Sequence, residues 1–356
     1  MSSKSPKNNE NRRRKRTLLS VLLYLVILLF ILWLITVLWM RFFYNPKKYE
    51  DNAVLDRIYT LSNGESIKSV SDLPHTKIEL DGIPAGTSNL DTDVKSNLNL
   101  EDRDEFEPSM DNLFKDEELT TKNIVSLFEN MKSPKEISTS HSTFGKKVVY
   151  IYHTHSREAF LPYLKNADEP EDAYHSEANI TLVGKLLGRA LKRRGVGTIV
   201  DSTDIVQELD LRGLNYNSSY NVSGNQVRSA LRDYKDLEIF IDVHRDSLRK
   251  DSTTTKINGL DYAKLLFVVG TGHEGFEKNL MFAEGLQTIL DARYPGLSKG
   301  IIQKDNSQGN GVYNQDISPN AIIVEIGGVD NTVEELHRST EIFANVLSEY
   351  YFHEAK

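Results

Sequence analysis

The sequence predicts an α/β domain with a mixed or mostly parallel sheet flanked by helices, preceded by one transmembrane helix and a polar stalk. Three observations predict it. From Lys146 to Tyr351, short runs rich in Val, Ile and aromatic residues alternate with longer stretches of helical apolar spacing, the pattern of a layered α/β sheet. Thr17 to Met40 is a stretch of 24 residues without a charge. Between the two lies a polar, acidic segment with little apolar periodicity.

Within the α/β region, Val148 to Tyr152 reads as a strand, and Glu177 to Arg194 as a helix ended by Lys192-Arg193-Arg194 and Gly195. Further strands are expected at Gly197–Val200, Leu237–Val243, Ala263–Gly270, Ile301–Ile302 and Ala321–Ile326, and further helices at Asn225–Tyr234, Glu274–Tyr294 and Thr332–Tyr351. Thr332 followed by Glu335 has the spacing of a capping box.

The apolar stretch is long enough for the ~30 Å core of a bilayer. Lys4, Lys7 and Arg12 to Arg16 precede it, so residues 1–16 read as a basic cytoplasmic tail and 17–40 as a signal-anchor, with the rest of the chain outside. The stretch exceeds a signal-peptide core, and Leu38-Trp39-Met40-Arg41 offers no small-residue cleavage site. Residues 41–145 read as a stalk; Glu101 to Glu118 holds nine acidic residues against Arg103 and Lys115, a composition that buries little surface. Short helices are expected near Asp51–Leu61 and Asn123–Met131.

Hydrophobic content of 39% with 26% charged residues suits a globular chain, and the net charge of −8 argues against nucleic acid as a partner. There are no cysteines, which excludes disulfides, thiolate metal sites and a cysteine nucleophile, and leaves His, Asp and Glu as metal ligands.

Three polar clusters close predicted strands: Tyr152-His-Thr-His-Ser156, Asp242-Val-His-Arg-Asp-Ser247 and Val324-Glu-Ile-Gly-Gly328. Sites in open α/β sheets form beyond the carboxyl ends of strands, so these clusters can converge. His175-Ser176-Glu177 opens the first long helix and can reach the same edge. Hydrolytic zinc sites take three His or carboxylate ligands and use a separate carboxylate for proton transfer. His155, Glu177 and His244 fit the ligand roles and Glu325 the catalytic one. His153 stands as an alternative to His155. His175 is an alternative to Glu177, a binder of the substrate peptide, or an exposed loop residue. Asp242 or Asp246 suits the orientation of a metal-bound imidazole, and Arg245 suits either a substrate carboxylate or a structural ion pair.

The same clusters, together with His175-Ser-Glu-Ala-Asn179, resemble the stage II sporulation protein P family, a relative of the zinc N-acetylmuramoyl-L-alanine amidases. The resemblance implies Zn2+ on His155, Glu177 and His244, with Glu325 catalytic. The glycine-rich segment around the first His of the broader amidases is absent; Ser156-Arg157-Glu158 stands there instead. The resemblance further implies cleavage of the amide between N-acetylmuramic acid and L-alanine in peptidoglycan, together with cleavage of peptide cross-links. It places the activity in endospore engulfment, at the mother-cell membrane of the sporulation septum, with stage II sporulation proteins D and M as partners. Two rival readings stay open: another metal-dependent peptidase on a similar sheet, and an inactive wall-binding scaffold.

Overall fold

The computed structural model describes residues 108–132 and 141–354, all within one unit, Leu80–Lys356. The predicted signal-anchor, the tail before it and the helix expected near Asp51–Leu61 lie outside the described residues. Among the described residues no helix is long and apolar enough to cross a membrane.

The described chain opens with two short helices, α1 (Met110–Phe114) and α2 (Ile124–Glu129). Then come β1 (Val149–Tyr152), α3 (Ile180–Arg193), β2 (Thr198–Val200), α4 (Ile205–Leu211), α5 (Ser219–Asp233) and β3 (Ile239–Asp246). A single turn, α6 (Lys250–Thr253), leads into a hairpin of β4 (Thr254–Ile257) and β5 (Leu260–Ala263). The domain closes with β6 (Leu265–Gly270), α7 (Phe276–Arg293), β7 (Ser298–Lys304), β8 (Ala321–Gly328) and α8 (Val333–Glu354).

Six strands form one sheet in the order β2-β1-β3-β8-β6-β7. β2, β1, β3 and β8 run parallel, and β6 pairs antiparallel with β8 while β7 follows β6. The sheet is therefore mixed. Alternation along the strands divides its side chains between two faces. Val149, Ile151, Ile241, Val243, Val324, Ile326 and Phe267 face the main core with Val183 and Leu187 of α3, Phe282 and Leu286 of α7, and Phe343 and Leu347 of α8. Tyr150, Tyr152, Phe240 and Ala321 face Val227 and Ala230 of α5. Further along that second face helix cover ends, and a cleft opens over β3, β8 and β6.

Residues 108–132, which the sequence places in the stalk, pack onto the domain. Leu113, Ile124 and Phe128 are buried to 3% exposure or less. Leu119 bridges to Leu164, Lys165 pairs with Glu118 at 2.5 Å, and Arg189 donates to the Phe128 carbonyl at 2.7 Å. The acidic composition conceals three apolar anchors that find a surface only once the domain exists.

The candidate metal site

The site begins where β1 ends. His153 to Ser156 follow the strand directly, and the chain turns back so that the Glu158 amide donates to the His155 carbonyl at 3.0 Å. The turn sets Glu158 Oε1 3.5 Å from His155 Nδ1. The same oxygen lies 3.6 Å from Nδ1 of His244, which β3 presents on the cleft face. His155, Glu158 and His244 thus offer three ligand atoms within 4.8 Å of one another.

These separations can be tested against zinc. Ligand bonds of about 2.0–2.1 Å in a tetrahedron place donor atoms about 3.3–3.4 Å apart, close to the two separations that Glu158 Oε1 makes with the histidines. The surroundings point the donors inward. The Arg245 amide donates to Glu158 Oε2 at 2.9 Å, which leaves Oε1 for the shared centre. His244 Nε2 lies 3.1 Å from Asp242 Oδ1, the carboxylate–imidazole arrangement common behind metal-bound histidines. The His155 ring stacks on Tyr216, with centroids 4.8 Å apart, and meets Tyr220 edge-on. Two imidazoles and a carboxylate with no thiolate form a borderline donor set that suits zinc.

Electrostatics match the geometry. Burial opposes a charge on Glu158, yet His244, His155 and Arg245 overcome it and hold its carboxyl well below the ordinary range. Burial likewise opposes a charge on His244, and the carboxylates of Asp242 and Glu158 reverse that, raising its pKa well above the ordinary value.

Glu325 occupies the β8 position in register with His244 and lines the same cleft of about 580 Å³. Asp246 also lines it, its Oδ2 bonded to Lys299 Nζ at 2.5 Å and its Oδ1 accepting the Leu248 amide at 2.9 Å. Asp246 thus braces the strand end, while Asp242 stands behind His244.

The other sequence candidates lie elsewhere. Glu177 is exposed and does not join the cluster. The α3 N-cap is Asn179, whose side chain accepts the Thr181 amide, so residues 175–178 form a turn before the helix. In that turn the Glu177 and Ala178 amides donate to His175 Nδ1 at 2.9 and 3.0 Å, which makes His175 a buried organiser of the turn. His153 faces α3 rather than the cleft: Nδ1 contacts the Asp201 carbonyl at 2.9 Å, and burial pulls its pKa down to about 4. Arg245 bonds the carbonyls of Ala159 and Ala173, each at 3.1 Å, so its guanidinium braces the loop that carries Glu158.

Glu158 was not singled out by sequence reasoning. Its only signal is the i, i+3 spacing from His155 just beyond a strand, and the turn that uses that spacing is invisible in composition.

An α/β domain carrying a cluster able to hold a metal at the carboxyl ends of parallel strands defines the class. The model of the stage II sporulation protein P family matches residues 70–348, and the chain belongs to that family. A Bacillus subtilis (strain 168) protein named stage II sporulation protein P is 47% identical over 211 residues, 59% of this chain and 53% of that protein. The chain therefore spans about half the length of this curated relative. Among solved structures, a metallo-carboxypeptidase from Burkholderia cenocepacia aligns with a TM-score of 0.33 and 10% identity over 60% of each chain, a likeness too distant to carry an argument.

Proposed function

We propose that this chain is a membrane-anchored zinc hydrolase of peptidoglycan that cleaves the amide between N-acetylmuramic acid and L-alanine during endospore engulfment. One observation carries the reading: two imidazoles and a buried carboxylate stand at zinc-ligand spacing on the floor of an open cleft, with a second carboxylate, Glu325, beside them. Family membership supports the substrate. The anchor rests on Thr17–Met40 and the basic run before it. Stage II sporulation proteins D and M as membrane partners, and cross-link cleavage as a second activity, belong to the same proposal.

His155, Glu158 and His244 would hold the ion. When bound, zinc supplies Lewis-acid polarisation of the scissile carbonyl and lowers the pKa of a water to about 7. Glu325 accepts the proton of the attacking water and returns it to the leaving nitrogen. Tyr216 keeps the His155 ring in place by stacking, and Asp242 does so for His244. The open cleft admits a polymer from the side.

Purified full-length chain is expected to contain zinc and to release, from purified peptidoglycan, stem peptides that begin with L-alanine. Chelation should stop the release. Glu325→Gln should keep the metal and lose at least ~100-fold in turnover, the lower range for a general base. Glu158→Gln should lose zinc, whereas Glu177→Gln should keep it. Release that persists after chelation sinks the zinc mechanism. Products from the peptide's carboxyl end indicate a carboxypeptidase instead, and wall binding without products indicates a scaffold.

A further inference from the structure

Behind His244 runs a chain of buried side chains whose hydrogen bonds all point one way. Asp242 is fully buried, and as a carboxylate it only accepts. The Thr154 amide donates to its Oδ1 at 2.8 Å and the Thr154 hydroxyl to its Oδ2 at 2.6 Å. That hydroxyl has one proton, now spent, so its 2.7 Å contact with Ser223 Oγ is one in which Ser223 donates. Ser223 in turn can only accept from Asn314 Nδ2, a pure donor, at 3.0 Å. The Tyr220 carbonyl competes for the Ser223 proton from 3.3 Å and loses on distance. The order Asn314→Ser223→Thr154→Asp242 is therefore fixed by the two ends.

The structure invests in the far end. Asn314 and the preceding Tyr313 both adopt left-handed backbone, with φ of 58° and 54°, a conformation that L residues rarely take in succession. Asn314 reaches Ser223 only because α5 carries glycine at 224: a Cβ there would lie 2.4 Å from Asn314 Oδ1. The loop that ends in this strained pair also supplies Gly309, Asn310 and Tyr313 to the wall of the cleft. At the near end, His244 Nε2 is buried and lies 3.1 Å from Asp242 Oδ1, within reach of that carboxylate but off the line of a well-formed hydrogen bond.

We propose that Asn314, Ser223 and Thr154 are positioning residues that act through Asp242. They fix the tautomer in which His244 keeps its proton on Nε2 and turns the Nδ1 lone pair toward the metal, and so couple the grip on the metal to the cleft loop ending at Asn314. With every donor aimed at Asp242, the carboxylate is left as the acceptor for the Nε2 proton. This inference rests on the zinc reading above, and it adds residues that touch neither metal nor substrate.

The test measures zinc affinity of the full chain in detergent by competition with a chromophoric chelator, together with 15N chemical shifts of histidine in the zinc-loaded protein. Thr154→Val, nearly isosteric but without the hydroxyl, should loosen zinc about 10–100-fold, the usual effect of losing a partner behind a ligand. Thr154→Ser should restore wild-type affinity. Asn314→Asp, which replaces the terminal donor by an acceptor and turns the Ser223 proton away from Thr154, should also loosen zinc and move the His244 Nε2 signal. Wild-type affinity and unchanged 15N shifts in both Thr154→Val and Asn314→Asp would overturn the inference while leaving the zinc site standing. A wild-type chain that binds no zinc removes both. If Thr154→Val does not fold, Asn314→Asp decides alone.

Discussion

At the residue scale, two buried histidines, His153 against α3 and His244 in the cleft, carry opposite pH signatures. His153 is pushed down to about 4 by burial, below the ~6.5 of an unfolded imidazole. Between those values the unfolded chain binds a proton that the folded one refuses, so stability falls as pH drops through that window. His244 is raised well above the ordinary value in the metal-free protein. Its contribution is fully present below ~6.5 and is lost as pH rises through the folded pKa. Chelated protein should therefore lose thermal stability toward both sides of about pH 6.5, and zinc should remove the loss on the alkaline side. Melting curves from pH 5 to 9, with chelator and with zinc, check this. An alkaline limb that is flat without metal contradicts the raised His244.

Residue identity also explains what was legible. His155 and His244 stand out because each ends or follows an apolar strand, where a polar side chain has to be satisfied or used. Glu325 does so for the same reason. The sequence favours Glu177 and gives no reason to single out Glu158, because the choice depends on which of two turns folds back toward the strand ends. By accepting two amides, His175 turns residues 175–178 into a cap-like loop in which Glu177 is exposed.

At the scale of elements, the strands β1, β3 and β8 were readable because continuous apolar runs mark strands buried on both faces. The β4–β5 hairpin has weak strands, since Thr254 to Ala263 mixes Lys256, Asp261 and exposed Leu260 with few apolar residues, and its one clear signal, Asn258-Gly259 at the two-residue turn, went unused. α4 is only seven residues long and shows little period. The packing of α3 on β1 supplies a sharp test of element fit. A Cβ at Gly184 would lie 2.0 Å from His153 Nε2, and the imidazole is held on its other side by the Asp201 carbonyl. Gly184→Ala, normally favourable within a helix, should here destabilise by about 1–3 kcal/mol through overpacking. Denaturant unfolding would show it as a lower midpoint with an unchanged slope; an increase in stability would mean that His153 yields freely.

At the scale of the whole molecule, the expected boundary at residue 146 and the packed segment 108–132 lead to different minimal domains. Leu113, Ile124 and Phe128 each bury a large apolar side chain, worth roughly 1.5–3 kcal/mol apiece. The Leu113 carbonyl accepts from Arg157 Nη1 at 2.8 Å, and Asp116 accepts the Ser176 amide at 2.8 Å. A chain beginning at Pro108 should melt cooperatively, and one beginning at Lys146 should melt several degrees lower and bind zinc more weakly. Equal melting temperatures for the two would show that the segment adds nothing. Stalk-like composition hides this because composition averages over the segment, while the packing depends on three residues.

That packing also sets a mechanical link within the described domain. Leu113 and Phe114 meet Arg157, whose guanidinium is forked onto Asp204 and lies over the Phe114 ring. The next residue along is Glu158. A displacement of α1 would thus be felt within one peptide bond of the carboxylate that joins the two histidines, so the N-terminal helix and the candidate metal cluster share a mechanical connection as well as a polypeptide.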